Sequence, residues 1–501
     1  MRRSGWRWLG TLVVVMAVCT CLARADDGDT AQSAIFLLKD ATQPQRDGRH
    51  SRAMRALRQL RDPELHPFFV HLMAGKDNIL RIHAFLGAAE SDPKKGLDLA
   101  RLASVKDEQL QAEMLSAALD SELLTLEQAR QAVNWPGLDI TVRLLVAIQL
   151  THAGEFKDIA LLQEAGKSDN LARQALAGLT LVQLGQAQGK TILDRVDASK
   201  DLRRDEAREL ALQTMLRFDF DKAAGWAMKI SIEPDVSSRL NLLGLRGALR
   251  FGAPGAVDAW RQSYESTNDL AQRTRLAFLA LNIAQHLPAS FFDPLNASND
   301  ASLRQIGRAG AAIAGKQDVA PAVIELIKSG HPVATAWALA FVTKQAAPAD
   351  ARAIELAIIQ QYPGPARNQA QRFDDAVTAT QLLFEQSPQE AQAMLRPIVA
   401  ADQPDEMYRQ AVLLGLIRSK GQPHLVIQGL LPYTNASTNG LALLLLAKNG
   451  QTLTPAQMAE LATVVRGGGS IPESLRLQAA WIWLKRNKMT PQALEALTAL
   501  R

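Results

Sequence analysis

The sequence is poor in cysteine and in aromatic residues, and both shortages narrow the possible architectures. Only 2 cysteines occur in 501 residues, which excludes a disulfide-rich fold and a zinc site built from several thiolates. Aromatic residues make up 5% of the chain, and runs that alternate Val, Ile or Thr with polar residues are missing. Because such runs are typical of β-strands, we expect helices almost throughout.

The first 25 residues have the composition of an export signal. A basic start, MRRSGWRW, is followed by the apolar run LGTLVVVMAVCTCLA, and the small residues Ala23 and Ala25 precede an acidic stretch. This order predicts a signal peptide over residues 1–25 that is cleaved after Ala25. The apolar run is about 15 residues long, short of the roughly 20 that span a bilayer, so a permanent membrane anchor is the less favoured alternative.

Removal of this segment changes the cysteine content and the charge. Cys19 and Cys21 both lie in it, so the exported chain would contain no thiol. Four arginines and no acidic residue leave with it, which lowers 56 basic residues to 52 against 51 acidic ones and the net charge from +5 to +1. A nearly neutral chain is not expected to bind nucleic acid or an anionic membrane. We expect a bacterial periplasmic location, with secretion from the cell as the alternative.

Residue patterns that start helices, and short Gly- and Pro-rich stretches that interrupt them, recur along the rest of the chain. Thr454-Pro455 combines a capping residue with a proline that suits the first helical turn, and Thr125 with Gln128 fits a capping box. Breakers such as GAPG at 252–255 separate these signals. Connections this short place consecutive helices side by side and antiparallel.

An arginine near the start of an Ala/Leu-rich helix also recurs, in direct steps of 29 to 37 residues, at Arg81, Arg143, Arg173, Arg208, Arg239, Arg275, Arg304, Arg372, Arg409 and Arg476. Three wider gaps are each close to two steps and hold a further helical segment. This period is typical of a solenoid. We therefore predict an all-α fold, a superhelix of about 13 to 15 antiparallel helical hairpins. It would form one continuous repeat domain over residues 51–501 after a lead-in segment at 26–50.

The segment LRQLRDPELHPFFVHLMAGKDNILRIHAFLGAA resembles a HEAT repeat. It has the Asp-Pro opening of that family at Asp62 and Pro63, an apolar first helix, an acidic turn and an arginine, Arg81, on the second helix. Residues 167–185 repeat the second half of the pattern, and residues 299–315 do so more loosely. The resemblance implies an α-solenoid whose hairpins pack mainly on their neighbours.

No catalytic or metal-binding motif stands out. His66, His71 and His83 are close in sequence, but the first two lie about 140° apart around a helix, so we expect no metal site. Glu473-Ser474 is similar to the Glu-Ser pair of lytic transglycosylases, yet the Gly-Leu-Met-Gln stretch of that family does not follow it. Glu473 is better interpreted as an acid in the first turn of a helix. We expect no catalytic residue and no cofactor.

Trp481 and Trp483 are the candidate partner contacts. Two residues apart on a helix, their side chains project about 200° from each other, so we expect one to pack between hairpins and the other to face outward towards a partner.

The function that we expect is an exported, non-catalytic scaffold that binds an envelope or exported protein or peptide on the concave face of the superhelix. The alternative is a helical-toroid enzyme, or an enzyme accessory, that acts on envelope polysaccharide such as peptidoglycan. The irregular repeat length favours an open stack of hairpins, and no pattern indicates the oligomeric state.

Overall fold

The structure is a computed structural model, and the residues that it describes are 28–43, 48–135, 137–234, 236–361, 369–400, 405–467 and 471–498. The predicted signal peptide, including Ala25, lies outside the described residues. Within them the chain forms 28 α-helices joined by short turns and contains no β-strand. This confirms the predicted all-α helical-repeat fold. No helix in these ranges is long and apolar enough to cross a membrane.

The helices fall into two compact units. Unit 1 combines the two ends of the described chain, up to Leu97 and from residue 369 onward, and the predicted lead-in segment contributes its first helix. Its helices are α1 (28–42), α2 (Arg49–Arg58), α3 (His66–Leu72), α4 (Asn78–Ser91), α22 (Gln369–Gln386), α23 (Pro388–Ala400), α24 (Glu406–Arg418), α25 (Ala436–Lys448), α26 (Pro455–Arg466), α27 (Glu473–Arg486) and α28 (Thr490–Thr498). Short 3-10 helices at Pro63–Leu65 and Pro423–Ile427 complete it.

Unit 2 runs from Asp98 to Gln361. Its helices are α5 (Leu99–Ala103), α6 (Glu108–Asp120), α7 (Leu126–Ala132), α8 (Ile140–His152), α9 (Ile159–Ala165), α10 (Leu171–Gln183), α11 (Ala187–Asp197), α12 (Arg204–Arg217), α13 (Ala224–Ser231), α14 (Ser238–Arg250), α15 (Ala256–Ser266), α16 (Leu270–Leu281), α17 (Asp293–Asn296), α18 (Ala301–Gly315), α19 (Val319–Lys328), α20 (Ala334–Lys344) and α21 (Pro348–Gln360). Three 3-10 helices lie between them, at Asp221–Ala223, Ala284–His286 and Ala289–Phe292.

Seven even-numbered helices of unit 2 form a continuous layer. Helices α6, α8, α10, α12, α14, α16 and α18 each pack on the next, and we call this set the second-helix layer. Odd-numbered helices between them pack against this layer, for example α13 on α14 and α9 on α10. Each hairpin thus buries its apolar stripes against its neighbours, as a solenoid requires.

Polar residues in the turns start the next helix. A carboxylate oxygen of Asp107 accepts from the amide three residues later at 3.0 Å, and Asp300 does the same at 2.9 Å. The predicted capping box of Thr125 and Gln128 is present at the start of α7. These caps satisfy amides that have no partner inside the helix.

The recurring arginine joins the two helices of a hairpin. Nε of Arg81 donates to the carbonyl oxygen of Met73 at 3.2 Å, and Nε of Arg143 donates to that of Val133 at 2.8 Å. Arg476 makes the same kind of contact with the last turn of α26. The carbonyl groups at a helix C-terminus lack intrahelical partners, so an arginine there stabilises the turn. The periodic arginine is therefore a structural feature of the repeat at these positions.

The first and last hairpins of the chain are in contact within unit 1. Helix α2 packs on α27, and Nε2 of Gln478 donates to the carbonyl oxygen of Ala56 at 2.9 Å. In the open stack that the irregular repeat length favours, these two hairpins would not be in contact. They meet because Gln478, Trp481 and Lys485 follow one another at i, i+3 and i+7 on one face of α27, and all three find partners in the first hairpin.

Candidate functional site

The two tryptophans predicted as partner contacts are both buried. Trp481 is 0% exposed and Trp483 is 2% exposed. Helix α27 has α2, α25, α26 and α28 packed around it, so side chains on its opposite faces are covered alike. A 200° separation leaves one indole facing outward only where the helix has a solvent-facing side, and α27 has none at this point. Neither indole therefore faces outward, and the prediction of a partner contact at Trp481 or Trp483 is wrong.

The three neighbouring histidines have separate environments. Nδ1 of His66 lies 3.1 Å from a carbonyl oxygen of α4, Nε2 of His83 lies 2.8 Å from the hydroxyl oxygen of Ser51, and His71 is exposed. Burial and the positive charge of Arg58 lower the pKa of His83 to about 4. In the described ranges no group of three or more His, Cys, Asp or Glu residues is placed to hold a metal ion.

Glu473, the acid of the Glu-Ser pair, forms a salt bridge in unit 1. Its carboxylate accepts from Nε of Arg49 at 3.0 Å. It is also the first residue of α27, where the positive end of the helix dipole favours an acid. This environment is consistent with a structural role for Glu473.

A groove crosses the second-helix layer of unit 2. Its volume is about 610 Å³, and residues of α12, α14 and α16 and the turn before α20 line it. We call it the Arg246 groove and define it by Leu242, Leu243, Arg246, Arg275, Phe278 and Val333. A volume of this size lies within the roughly 300–1,000 Å³ typical of sites that hold a compact ligand.

The sequence of α14 determines which of its faces lines the groove. Gly244 lies against α13, where a side-chain carbon at this position would come within 2.8 Å of the carbonyl oxygen of Ala227. This close approach turns the opposite side of α14 outward. Leu242, Leu243 and Arg246 lie on that side, and all three are partly exposed.

Arg246 is the unusual residue of the groove. Its side chain is partly buried, and its Nε has no hydrogen-bond partner in the part of the chain that is described. Burial, assisted by the nearby charge of Arg250, lowers the pKa of Arg246 below its ordinary value. Arg250, one turn further along α14, instead pairs with Asp219 and donates to the carbonyl oxygen of Leu216 at 2.8 Å. A partly desolvated cation without a partner is unfavourable for stability and available to an anion.

The other charges of the groove are also mostly positive. Arg239 pairs with Glu209, which is the one acid among the described lining residues. Arg275 is exposed and has no ion pair in the described ranges. At this repeat the structural contact is made by Arg273, whose Nε donates to the carbonyl oxygen of Thr267 at 2.8 Å. Arg275 therefore does not make the structural contact of the repeat and lies at the edge of the groove.

The apolar part of the groove continues to its rim. The rings of Phe278 and His331 lie 4.8 Å apart at an angle of 41°, and burial lowers the pKa of His331. Val333, next to this pair, is 47% exposed. The groove therefore combines a neutral, largely apolar surface with a cation at its centre, Arg246, and a second at its edge, Arg275.

Two carboxyl groups with raised pKa values lie outside the groove. Burial raises the pKa of Glu355 to about 8, and burial also raises that of Asp375. Glu355 is 0% exposed and Asp375 is 7% exposed. A general acid must come within hydrogen-bond reach of its substrate, and neither group is accessible in this conformation.

Arg246 was not predicted from the sequence, and Arg275 was assigned to the repeat pattern. One signal was present: α14 reads SRLNLLGLRGALR and contains no acid, so this helix supplies no partner to its own arginines at i±3 or i±4. Whether a neighbouring helix supplies one depends on the packing. Comparison with protein-family models and with curated proteins finds no match to this chain.

Proposed function

We propose that this protein is an exported, non-catalytic interaction scaffold, a HEAT-like helical repeat that binds a protein or peptide in the Arg246 groove. The observation that carries the proposal is the partly buried Arg246, which has no partner in the described structure and lies beside Leu242, Leu243 and Phe278. An unpaired, partly buried cation lowers the stability of the fold, but it is available to bind an anionic group of a partner.

The side chains that line the groove indicate which chemical groups its ligand presents. Apolar side chains of the ligand would cover Phe278 and the leucines of α14, which are in contact with solvent in the free protein. A carboxylate would accept two parallel hydrogen bonds from the guanidinium of Arg246. Arg275 at the edge would speed the encounter with an acidic segment. We therefore expect a peptide segment in which apolar residues flank an Asp, a Glu or a terminal carboxylate.

The predicted signal peptide over residues 1–25 supports an exported location, and so an envelope or exported protein as the source of that segment. A groove of about 610 Å³ accommodates a few side chains and not a whole domain. It would therefore act as an anchoring point, with further contacts spread over the second-helix layer.

The alternative, an enzyme on a helical toroid that acts on envelope polysaccharide, is favoured by one observation. The first and last hairpins are in contact in unit 1, as the end hairpins of a toroid must be. Against it, the two acids with raised pKa values, Glu355 and Asp375, are buried and cannot reach a polysaccharide without a rearrangement.

Site-specific photo-crosslinking in the cell tests the proposal. A crosslinking amino acid is placed at Val333 in the groove and, as a control of the same residue type and similar exposure, at Val257 on α15. We expect Val333 to capture one defined protein through a segment with apolar and acidic residues, and Val257 not to capture it. The same adducts at both positions, or release of soluble fragments from peptidoglycan by the purified protein, would contradict the scaffold.

A further inference from the structure

A second cavity lies inside unit 1, where the first and last hairpins meet. Its volume is about 570 Å³, and it is lined by residues 60–64 after α2, by the end of α25 and by the end of α27 and the turn after it. We call it the seam pocket. Its charged lining consists of two acids and five cations, which are Asp62, Glu64, Arg61, Lys448, Lys485, Arg486 and Lys488.

Lys485 forms ion pairs with both acids. Nζ of Lys485 lies 2.8 Å from a carboxylate oxygen of Asp62 and 3.1 Å from one of Glu64. Asp62 accepts a further hydrogen bond from Nε1 of Trp481 at 2.9 Å. The remaining four cations therefore have no carboxylate partner within the pocket, and the pocket carries an excess of three positive charges.

Lys448 is the most constrained of these cations. Nζ donates to the carbonyl oxygen of Ile417, and no ion pair of Lys448 exists in the described ranges. Burial, assisted by the positive charge of Arg61 and opposed by Glu385, lowers the pKa of Lys448 to about 8. The amine therefore lies close to a second positive charge in a partly desolvated position, where an anion would relieve the repulsion.

We propose that the seam pocket binds a multiply charged phosphate group, held directly by Arg61, Lys448 and Lys488. A phosphate offers several oxygens to hydrogen-bond donors that approach from different sides, which suits one guanidinium and two amines. The walls supplied by Leu60, Pro63 and Ile482 reduce the screening of these charges by water. This proposal does not depend on the Arg246 groove, which lies in the other unit.

The pocket also predicts how binding depends on pH. A bound anion favours the protonated amine of Lys448, so affinity falls as pH rises through about 8. The groups that face this amine are Arg61 and the acids Asp62 and Glu64 from the turn after α2, Lys485, Arg486 and Lys488 from α27 and its end, and Glu385 from α22. The amine of Lys448, whose pKa is about 8, changes its charge between about pH 7 and about pH 9.

Calorimetric titration with inorganic pyrophosphate near neutral pH tests the site. The double variant Arg61→Gln, Lys488→Gln removes two exposed contacts, and Lys76→Gln, Lys94→Gln is the matched control, since these exposed lysines of unit 1 lie outside the pocket. We expect the pocket variant to lose roughly tenfold or more in affinity and the control to lose less than about twofold. Absence of binding by the wild type, or equal losses in both variants, would overturn the proposal. Thermal unfolding shows that each variant is folded.

Titration with sulfate isolates the contribution of Lys448 to the pH dependence of binding, because the charge of sulfate does not change between about pH 7 and about pH 9. The affinity of the wild type should fall from about pH 7 to about pH 9, and that of Lys448→Met should stay flat. An unchanged fall in the variant would contradict a direct contact. Flotation with vesicles that contain phosphatidic acid, a lipid with a multiply charged phosphate headgroup, then identifies the source: co-flotation that the Arg61 and Lys488 substitutions abolish indicates a lipid headgroup, and pyrophosphate binding without co-flotation indicates a soluble phosphate.

Discussion

Asp62 and Trp481 are joined by a hydrogen bond of 2.9 Å, although 419 positions separate them in the sequence. The same carboxylate accepts from Nζ of Lys485 at 2.8 Å and from the amide of Glu64 at 3.1 Å. Asp62 therefore starts a 3-10 helix in the first part of the chain and at the same time holds the last full hairpin of unit 1.

Replacing Asp62 should destabilise unit 1 by more than the loss of a helix cap. Asp62→Ala leaves the buried indole N–H of Trp481 without its acceptor and removes one of the two acids that pair with Lys485, so we expect the free energy of unfolding to fall by about 2 to 4 kcal/mol. Asp405→Ala is the control in the same unit, because Asp405 caps α24 through the amides of Met407 and Tyr408, and should cost about 1 kcal/mol. Urea denaturation followed by tryptophan fluorescence measures both, and equal losses would show that the contact between the hairpins contributes nothing.

Arg246 and Arg250, one turn apart on α14, should respond in opposite ways to removal of their charge. Arg246→Met removes a partly buried cation without a partner in the described structure, so stability should stay the same or rise by up to about 1 kcal/mol. Arg250→Met breaks the contacts with Asp219 and Leu216 and should lower stability by about 1 to 3 kcal/mol. Chemical denaturation compares the two. A loss in Arg246→Met as large as that in Arg250→Met would assign Arg246 a structural role.

His83 should make the protein sensitive to mild acid. Its pKa is lowered to about 4 in the folded state, from 6.5 in the unfolded chain, so between these values the unfolded state binds more protons. Stability is therefore fully present above about pH 6.5 and falls as the pH drops towards 4. His83→Gln should reduce this fall in the melting temperature, whereas His71→Gln, an exposed position in the preceding helix, should not. Parallel melting curves of wild type and His83→Gln across this range would be inconsistent with a neutral, partly buried His83.

Two glycines of α18 should respond differently to the addition of a methyl group. At Gly310 a side-chain carbon would lie 2.2 Å from the ring of Phe292, whereas at Gly315 it would have nothing within 4 Å. Gly310→Ala should therefore destabilise unit 2 by about 1 to 3 kcal/mol through overpacking. Gly315→Ala should stabilise it by up to about 1 kcal/mol, because alanine favours helix. Thermal unfolding of both variants checks this, and a neutral Gly310→Ala would mean that α18 does not pack closely on the segment at Phe292.

The features that follow from local chemistry were predictable from the sequence. The capping box of Thr125 and Gln128 is present, and the recurring arginines exemplified by Arg81 and Arg143 mark real hairpins. Both depend on residues within about ten positions of each other, so the sequence pattern contains them. The all-α repeat fold follows from many such local signals added together.

The features that depend on distant residues were not predictable in the same way. Trp481 and Trp483 are buried because helices from both ends of the chain enclose α27. Arg246 lacks a partner because of what α12 and α16 place beside it, and the seam pocket combines residues near position 61 with others near position 485. Periodicity indicates that hairpins stack, but it does not specify which side chains of different hairpins meet.

A charge-swap binding measurement tests the scaffold account most directly. The partner segment captured at Val333 is made as a synthetic peptide, and its affinity is measured for the wild type and for Arg246→Glu, Arg275→Glu. The account predicts that the variant loses at least about tenfold in affinity and regains affinity when the acid of the peptide is replaced by lysine. If the variant binds the acidic peptide as tightly as the wild type does, the Arg246 groove is not the binding site.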